Sequence, residues 1–171
     1  PAEYGNLLER AAACDAVLLG PGLGRAAETE QAVCRLLADL PCPVVLDADG
    51  INAVSAHIDV LGGQLRKLGG TVLTPHEGEF LRLGGSLAHG REQAAADFAR
   101  QHGCVLVLKG PGTIVAHPDG RRFCNPTGNC CMAKGGSGDV LAGIILSLVG
   151  QGASPFDAAL CAVWLHGRAG D

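Results

Sequence analysis

The chain has 171 residues, with 13 Lys and Arg against 17 Asp and Glu, which gives a formal net charge of −4. Hydrophobic residues make up 47% and charged residues 18%, a composition that excludes a disordered chain. The acidic balance and the aromatic content of only 4% argue against a nucleic-acid surface. No apolar run approaches the length of a membrane span, and no leader segment indicates export, so we expect one cytoplasmic domain over residues 1–171.

Short apolar runs alternate with longer stretches of helical periodicity along the chain. The runs predict buried strands at 16–20, 43–47, 71–74 and 104–108, and the periodic stretches predict helices at 25–40, 91–102, 138–149 and from Ser154 onward. Two further runs flank Pro118-Asp-Gly120 and predict a β-hairpin over 113–124. Fully apolar strands separated by helices are typical of a three-layer α/β/α fold with a mostly parallel central sheet.

The chain contains eight cysteines, and none of them lies in a Cys-x-x-Cys pair or near a histidine pair at zinc spacing. Several, such as Cys104 and Cys161, lie inside apolar runs. We therefore interpret the cysteines as small buried hydrophobic residues in a reducing compartment.

Ligands of mostly parallel sheets bind beyond the carboxyl ends of the strands, so the loops at 20–24, 47–49, 74–79 and 109–113 are expected to surround a site. The segment Gly22-Leu-Gly24-Arg-Ala-Ala27 fits the G-x-G-x-x-A pattern of a dinucleotide-binding turn. Asp47 and Asp49 end the next strand and would be the acids that face a ribose hydroxyl. A tight turn without a ligand is the alternative.

The glycine-rich segment before the helix at 138–149 carries the strongest chemical signal. Small residues at Gly135, Gly136, Ser137 and Gly138 would let backbone amides converge at the positive end of that helix, which predicts an anion cradle. Asp139 follows in the first helical turn. A carboxylate there could take the proton of a hydroxyl that attacks a bound phosphate, and an ordinary acid at a helix start is the alternative. The segment lacks the spacing of a P-loop.

Two strand-ending loops carry further candidates. Lys109 offers a positive charge for phosphates, and Gly110 and Gly112 allow close backbone approach, although a solvated hairpin turn would look the same. His76 is a candidate substrate contact, with helix capping or packing as the alternative. His166, in the last predicted helix, is interpreted as structural.

Five motifs together resemble those of ADP- or ATP-dependent NAD(P)H-hydrate dehydratases, in the order and at the spacing of that family. They are Gly20-Pro-Gly-Leu-Gly24, Val45-Leu-Asp-Ala-Asp49 with Asn52, Leu73-Thr-Pro-His76 with Glu79, Leu108-Lys-Gly110 with Thr113, and Gly135-Gly-Ser-Gly-Asp-Val-Leu141. The resemblance covers nearly the whole chain, and Leu165-His-Gly167 near its end also fits. It implies a ribokinase-like fold.

The resemblance implies a lyase that repairs hydrated NADH and NADPH. ADP or ATP, with Mg²⁺, would donate a phosphoryl group to the C6 hydroxyl of the hydrated nicotinamide ring, after which phosphate leaves and the double bond returns. Asp139 would be the catalytic base on that hydroxyl. The implied contacts of the hydrated dinucleotide are Gly22, Gly24, Asp47, Asn52, His76, Glu79 and Asp139. The implied contacts of the nucleotide are Lys109, Gly110, Pro111, Gly112, Thr113, Asn129, Gly135, Gly136, Ser137 and Gly138, and no side chain is assigned as a metal ligand.

Two departures from the family pattern accompany the resemblance. The family usually has Pro-Gly where this chain has Cys130-Cys131, which implies a differently posed loop before the cradle. Family chains also extend beyond both ends seen here, so residues 1–171 are expected to be most of a dehydratase domain that lacks its N-terminal strands. Members are often homotetramers, and their partners are small molecules, with neither nucleic acid nor a membrane expected.

Three other functions fit parts of the pattern. A ribokinase-like kinase for a vitamin or sugar hydroxyl would share the cradle and the base but need not carry the segment 74–79. A nicotinamide-dependent oxidoreductase would use the turn at 22–27, and an inactive nucleotide-binding remnant would bind without turnover.

Overall fold

The structure is a computed structural model that describes residues 2–62 and 70–171 of the chain. The elements in chain order are α1 (Ala2–Ala12), β1 (Val17–Leu19), α2 (Ala27–Asp39), β2 (Val44–Leu46), α3 (Asp49–Val54), β3 (Thr71–Leu73), α4 (Glu77–Arg82), α5 (Arg91–His102), β4 (Val105–Leu108), β5 (Ile114–Ala116), β6 (Arg122–Cys124), a 3₁₀ turn (Cys130–Met132), α6 (Ser137–Gly150) and α7 (Pro155–Gly170). Every strand and helix for which the sequence predicts a range is present close to its expected ends. Within the described ranges, no helix combines the length and the hydrophobicity that crossing a membrane requires.

The described strands form one six-stranded sheet in the order β1-β2-β3-β4-β5-β6. β1 to β4 pair in parallel, and β5 and β6 form an antiparallel hairpin beside β4. This topology confirms the predicted hairpin and the mostly parallel sheet. Each parallel strand is added on the same side of the one before it. Since such crossovers are right-handed, the connecting helices α2 to α5 lie on one face of the sheet.

Alternate residues of each strand face two different helical layers. Leu46 and Leu73 pack with side chains of α2 to α5, among them the fully buried Phe80. Val45 and Val72 point to the opposite face, which α6 and α7 cover. The three-layer prediction is therefore confirmed, and the C-terminal helices cover the face that the crossovers leave open.

The interpretation of the cysteines as buried residues is wrong for most of them. Five of the eight free thiols are exposed, namely Cys14, Cys124, Cys130, Cys131 and Cys161. Cys161 shows the physical reason, because it lies in an apolar run of α7 whose buried positions include 158, 159 and 162. Helical rotation turns position 161 away from the sheet, and an apolar run alone does not reveal which helical face is buried.

The turns after β1 and β2 pack directly against each other. Gly20 has a φ of 143°, and a Cβ built there would lie 1.7 Å from the carbonyl oxygen of Asp47. A Cβ on Gly50 would lie 2.4 Å from the carbonyl oxygen of Leu19. In the turn after β2, Ala48 adopts a φ of 48° and a ψ of −120°, a conformation that costs a non-glycine residue roughly 1–3 kcal/mol. The close approach of these two loops therefore requires glycine at Gly20 and Gly50.

Replacing Gly20 by Ala is expected to lower the free energy of unfolding by roughly 3 kcal/mol or more, because the added methyl group overlaps a backbone carbonyl. Gly22→Ala is the matched control, since Gly22 also has a positive φ, 72°, but open space around its Cβ position. The control should lose only about 1–2 kcal/mol. Urea denaturation followed by circular dichroism measures both losses, and equal losses would show that the two turns do not touch.

Candidate active site

A cavity of about 740 Å³ opens where the carboxyl end of β4 meets the N-terminus of α6. Its walls come from the β4–β5 turn, the loop between β6 and α6, and the facing sides of α6 and α7. Ten of the residues that the resemblance implies line this cavity, namely His76, Lys109, Gly110, Pro111, Gly112, Thr113, Asn129, Gly135, Ser137 and Gly138. The fold therefore brings the predicted nucleotide contacts to one surface, with Gly136 between two of the lining residues.

The first turn of α6 forms one end of the cavity. Gly136 is the N-cap, with a φ of 85°, and it offers the turn no side-chain hydrogen bond. The first N–H groups of a helix point beyond its N-terminus and carry its positive end, here toward the cavity that Ser137 and Gly138 line. The amide of Ser137 itself donates to the carbonyl oxygen of Lys134 over 3.2 Å. This geometry suits a bound anion.

His166 of α7 lies against the same turn. Its Nε2 is 3.3 Å from Oγ of Ser137, and its ring lines the cavity. Burial lowers the pKa of His166 below the ordinary 6.5, and a hydrogen bond with the backbone of Ser137 partly opposes that shift. The imidazole is therefore neutral at neutral pH. The interpretation of His166 as structural missed this contact, because no local pattern links position 166 to position 137.

Lys109 belongs to a buried cluster of charges at the cavity wall. Its Nζ donates to Oδ1 of Asp47 over 2.7 Å and lies 4.0 Å from Oε2 of Glu79. The side chains of Asp47 and Glu79 are 2% and 8% exposed, and that of Lys109 is 20% exposed. The two carboxylates were expected to contact substrate, and here they meet Lys109 and lie behind the lining residues.

His76 both begins α4 and lines the cavity. Its Nδ1 accepts hydrogen bonds from the backbone amides of Gly78 and Glu79 over 3.0 and 3.3 Å. In return, Oε2 of Glu79 accepts from the amide of His76 over 2.9 Å, which completes a capping box. Because Nδ1 is an acceptor, the ring carries its hydrogen on Nε2. The structure thus shows the capping role of His76, and it also places Nε2 of His76 3.6 Å from Oε1 of Glu79.

The loop before α6 is fastened to α7 by side chains that the sequence analysis missed. The buried Asn125 donates through Nδ2 to the carbonyl oxygen of Val163 over 3.0 Å. Thr127 donates through Oγ1 to the carbonyl oxygen of Trp164 over 3.1 Å. Both Asn125 and Thr127 line the cavity. The only feature of the sequence that could have indicated Asn125 and Thr127 is that they lie in a polar, turn-forming stretch between two apolar elements.

Arg91 of α5 holds the β4–β5 turn in place. Its Nη1 donates to the carbonyl oxygen of Pro111 over 2.6 Å, and its Nη2 lies 3.3 Å from the carbonyl oxygens of Leu108 and Lys109. A Cβ on Gly110 would lie 2.5 Å from Nη2, so a side chain at position 110 would displace the guanidinium from its present position.

Gly22, Gly24 and Asn52 are not among the residues that line the cavity, and Gly24 and Asn52 meet the carboxylate of Asp49. Asp49 accepts from the amide of Gly24 over 3.0 Å, from Nε of Arg25 over 3.3 Å and from Nδ2 of Asn52 over 3.5 Å. The amide of Gly24 is therefore already paired, whereas a dinucleotide-binding turn presents its amides to a pyrophosphate.

Asp139 is exposed and is not among the residues that line the cavity. It follows Gly138, whose Cβ position lies 3.3 Å from Nζ of Lys109 and 3.8 Å from Oδ2 of Asp47. The residue thus lies one position from the cavity wall, and its role as a base stays a prediction about the substrate complex.

A family model described as NAD(P)H-hydrate dehydratase matches residues 2–171. The chain belongs to this family. Among its relatives, the bifunctional NAD(P)H-hydrate repair enzyme Nnr of Moorella thermoacetica is 48% identical to this dehydratase-family chain over 169 residues. That match covers 96% of this chain and 31% of the Moorella protein, so the chain spans about a third of that relative's length.

Two solved structures are also similar to this member of the dehydratase family. The ADP/ATP-dependent NAD(P)H-hydrate dehydratase from Bacillus subtilis, co-crystallised with ATP/Mg²⁺, matches with a TM-score of 0.74 and 38% identity, over 94% of this chain and 58% of that one. A ribokinase-like superfamily protein from Enterococcus faecalis matches with a TM-score of 0.81 and 29% identity, over 97% of this chain and 58% of that one. The ribokinase-like fold that the resemblance implies is confirmed.

The described part of this dehydratase-family chain contains no group of three His, Cys, Asp or Glu side chains placed to hold a metal ion. Mg²⁺ usually keeps several waters and binds through one or two carboxylates together with the phosphates of a nucleotide. No Asp or Glu is among the residues that line the cavity, so a carboxylate for such an ion would have to come from beside it.

Acid is expected to destabilise this dehydratase-family chain through His166. Because burial lowers the folded-state pKa of His166, the unfolded chain binds a proton near pH 6.5 at which the folded chain does not. Stability is therefore unaffected by this group above pH 6.5 and falls as the pH drops toward the lowered pKa. His166→Gln should reduce the loss of unfolding free energy between about pH 7.5 and about pH 5.5, measured by urea denaturation.

The matched control is His89→Gln, which changes an exposed histidine and should leave the acid-induced loss unchanged. His102, whose pKa burial also lowers, should behave like His166 in a separate His102→Gln variant. The same acid-induced loss in the wild type and in His166→Gln would contradict the desolvation of His166.

Proposed function

We propose that the protein catalyses the ADP- or ATP-dependent dehydration of hydrated NADH and NADPH, as a hydro-lyase, with the nucleotide in the cavity beside α6. The observation that carries this proposal is the convergence of the uncapped first turn of α6, the ammonium of Lys109 and the glycine turn at 110–112 on one space, in a chain of the dehydratase family. A volume of about 740 Å³ suits a small-molecule site. The residues proposed to hold the nucleotide are the nucleotide contacts that the resemblance implies. All of them except Gly136 line the cavity, and Gly136 lies between two lining residues.

The names of the relatives support the choice of substrates. The Moorella protein is an NAD(P)H-hydrate repair enzyme, and the Bacillus structure is of an ADP/ATP-dependent dehydratase co-crystallised with ATP/Mg²⁺. We extend the adenine nucleotide and its Mg²⁺ to this chain because the cavity presents cationic and amide groups that suit phosphates. Bound with the nucleotide, the metal would neutralise charge on the phosphate oxygens.

The proposed reaction needs a hydroxyl beside the transferable phosphate. The oxygen at C6 of the hydrated ring attacks the terminal phosphorus, the bond to the bridging oxygen breaks, and the hydroxyl proton passes to the carboxylate of Asp139. Lys109 and the amides of α6 stabilise the charge on the phosphoryl oxygens. Phosphate then leaves from C6 as the ring nitrogen donates its electron pair, and loss of the C5 proton restores the double bond.

The hydrated dinucleotide is proposed to lie between the cavity and the turn after β1. His76 would contact it from the cavity wall. Gly22 and Gly24 in the turn after β1 would contact it from the other side, together with Asn52, which like Gly24 is bonded to Asp49. α6 packs over β1 and β2, which supports a substrate position close to both loops. We also propose a cytoplasmic homotetramer, as the resemblance implies.

Asp139→Asn should lower turnover at least about 10²-fold, because the amide accepts no proton from the C6 hydroxyl. The affinity for ADP, measured by calorimetry, should stay within about threefold of the wild type, since the exchange preserves the shape of the first helical turn. The assay supplies hydrated NADH, ADP and Mg²⁺ to the protein at its full natural length and records the return of NADH absorbance. Asp157→Asn is the matched control, because Asp157 occupies the same third position of α7 outside the cavity.

Three results would contradict the proposal. A stable phosphorylated product without NADH would favour a ribokinase-like kinase for another hydroxyl. NADH chemistry that needs no nucleotide would favour the oxidoreductase. Nucleotide binding without turnover, under conditions in which a related dehydratase is active, would favour the inactive remnant.

A further inference from the structure

We propose that Asp47 and Glu79 are positioning residues for Lys109, and that the ammonium they hold, not either carboxylate, contacts the phosphates of the nucleotide. The inference rests on the proposed function, because it takes an adenine nucleotide as the occupant of the cavity. It assigns to Asp47 and Glu79 a role different from the substrate contact that the resemblance implies.

Both carboxylates are held by donors other than Lys109. Oδ1 of Asp47 accepts the hydroxyl of Thr74 over 2.8 Å, and Oε2 of Glu79 accepts the backbone amide of His76 over 2.9 Å. The side chains of Asp47 and Glu79 are only 2% and 8% exposed, and a carboxylate that turned to a ligand would give up these bonds, although Thr74 could still donate to the carbonyl oxygen of Leu46 over 3.1 Å. They are therefore fixed acceptors, and Lys109 is the cation that they share.

Lys109 keeps a donor for the cavity. An ammonium has three N–H groups, and the two carboxylates engage at most two of them. The side chain is 20% exposed and lines the cavity, so the remaining N–H can reach a ligand there. A Cβ on Gly138 would lie 3.3 Å from Nζ, which places the ammonium directly beside the first turn of α6. The Lys109 ammonium and the α6 amides thus adjoin the same space.

The strained backbone beside Asp47 agrees with a positioning role. Ala48 adopts a φ of 48°, the sole positive φ among the described non-glycine residues, and it directly follows Asp47. Strain of this kind persists where the surrounding structure holds a site in one geometry. Here it accompanies a carboxylate that is buried, bonded to Thr74 and paired with Lys109.

A fixed ammonium binds an anion with less entropic loss than a free lysine side chain, which would have to be ordered on binding. The three charges of Asp47, Glu79 and Lys109 sum to −1, so the cluster does not draw an anion from a distance. Its contribution is a short charge-assisted hydrogen bond at a defined point. An arginine would keep the charge, but its planar fork differs in shape from the compact ammonium that fits between the two carboxylates.

The test compares Asp47→Asn with the wild type in the full-length protein. We expect the dissociation constant and the KM for ADP to rise about tenfold or more, the usual effect of losing a charge-assisted hydrogen bond, while the KM for hydrated NADH stays within about twofold. Lys109→Arg should weaken ADP binding to a similar degree although it keeps the positive charge. Asp97→Asn, on the exposed side of α5, is the matched control and should change neither constant.

A second readout separates positioning from a purely structural ion pair. Lys109→Met leaves two buried carboxylates without their cation and should lower the melting temperature. Adding Asp47→Asn to Lys109→Met should recover part of that loss without restoring ADP affinity. Glu79→Gln, which leaves the shorter Asp47–Lys109 contact intact, should weaken ADP binding less than Asp47→Asn.

The results distinguish this inference from the proposed function. A wild-type protein that does not bind ADP would overturn both. If the wild type binds ADP and Asp47→Asn leaves ADP affinity unchanged, the positioning role is wrong while the proposed function stands. A rise confined to the KM for hydrated NADH would instead show that Asp47 contacts the substrate, and it would equally overturn the positioning role.

Discussion

Four parallel strands end at one edge of the sheet, and the site depends on this constraint. Register between β2, β3 and β4 brings the segments that follow them side by side, so Asp47, Glu79 and Lys109 meet although the sequence separates them widely. Pairing continues one step beyond the strands, where the amide of Lys109 donates to the carbonyl oxygen of Pro75 over 2.8 Å. Backbone hydrogen bonding between the strands therefore fixes the position of the Lys109 Cα, from which the side chain extends, before any ligand is present.

Opposite charges meet over short distances at this edge of the sheet. Two buried carboxylates face one ammonium, and the positive end of α6 lies directly beside them. A buried ion pair by itself is a weak source of stability, but here Thr74 and the capping box of α4 supply the remaining hydrogen bonds of the carboxylates. A phosphate that enters the cavity would meet the helix end and Lys109 together, with Lys134 on the same wall. The arrangement favours an anion at one point of the cavity, and much of the remaining wall is formed by loop residues.

Much of the fold was predictable because its signals are local. Apolar runs of strand length and helical periodicity located the strands and helices, and hydrophobic residues on both faces of each strand indicated a sheet covered on both sides. The residues of the nucleotide side were also predictable, since a lysine and glycines after a strand and a glycine-rich helix start are local patterns. α3 was missed, because six residues carry too little periodicity to be recognised.

Contacts between distant elements could not be predicted from the residues alone. The pairing of Asp47 with Lys109 depends on strand register, and the approach of His166 to Ser137 depends on the rotation of α7. The exposure of Cys161 depends on that same rotation. The position of Asp139, exposed and next to the cavity wall, likewise follows from which side of α6 packs on the sheet.

We propose that the cavity beside α6 holds the phosphates of an adenine nucleotide. A crystal structure of the full-length protein with a non-hydrolysable nucleotide tests it most directly. We expect phosphate oxygens within about 3 Å of Nζ of Lys109 and of the first-turn amides of α6, with the carboxylate of Asp139 on the open side of the terminal phosphate. A nucleotide bound at the turn of Gly22 to Gly24, or with its phosphates directed away from α6, would contradict it.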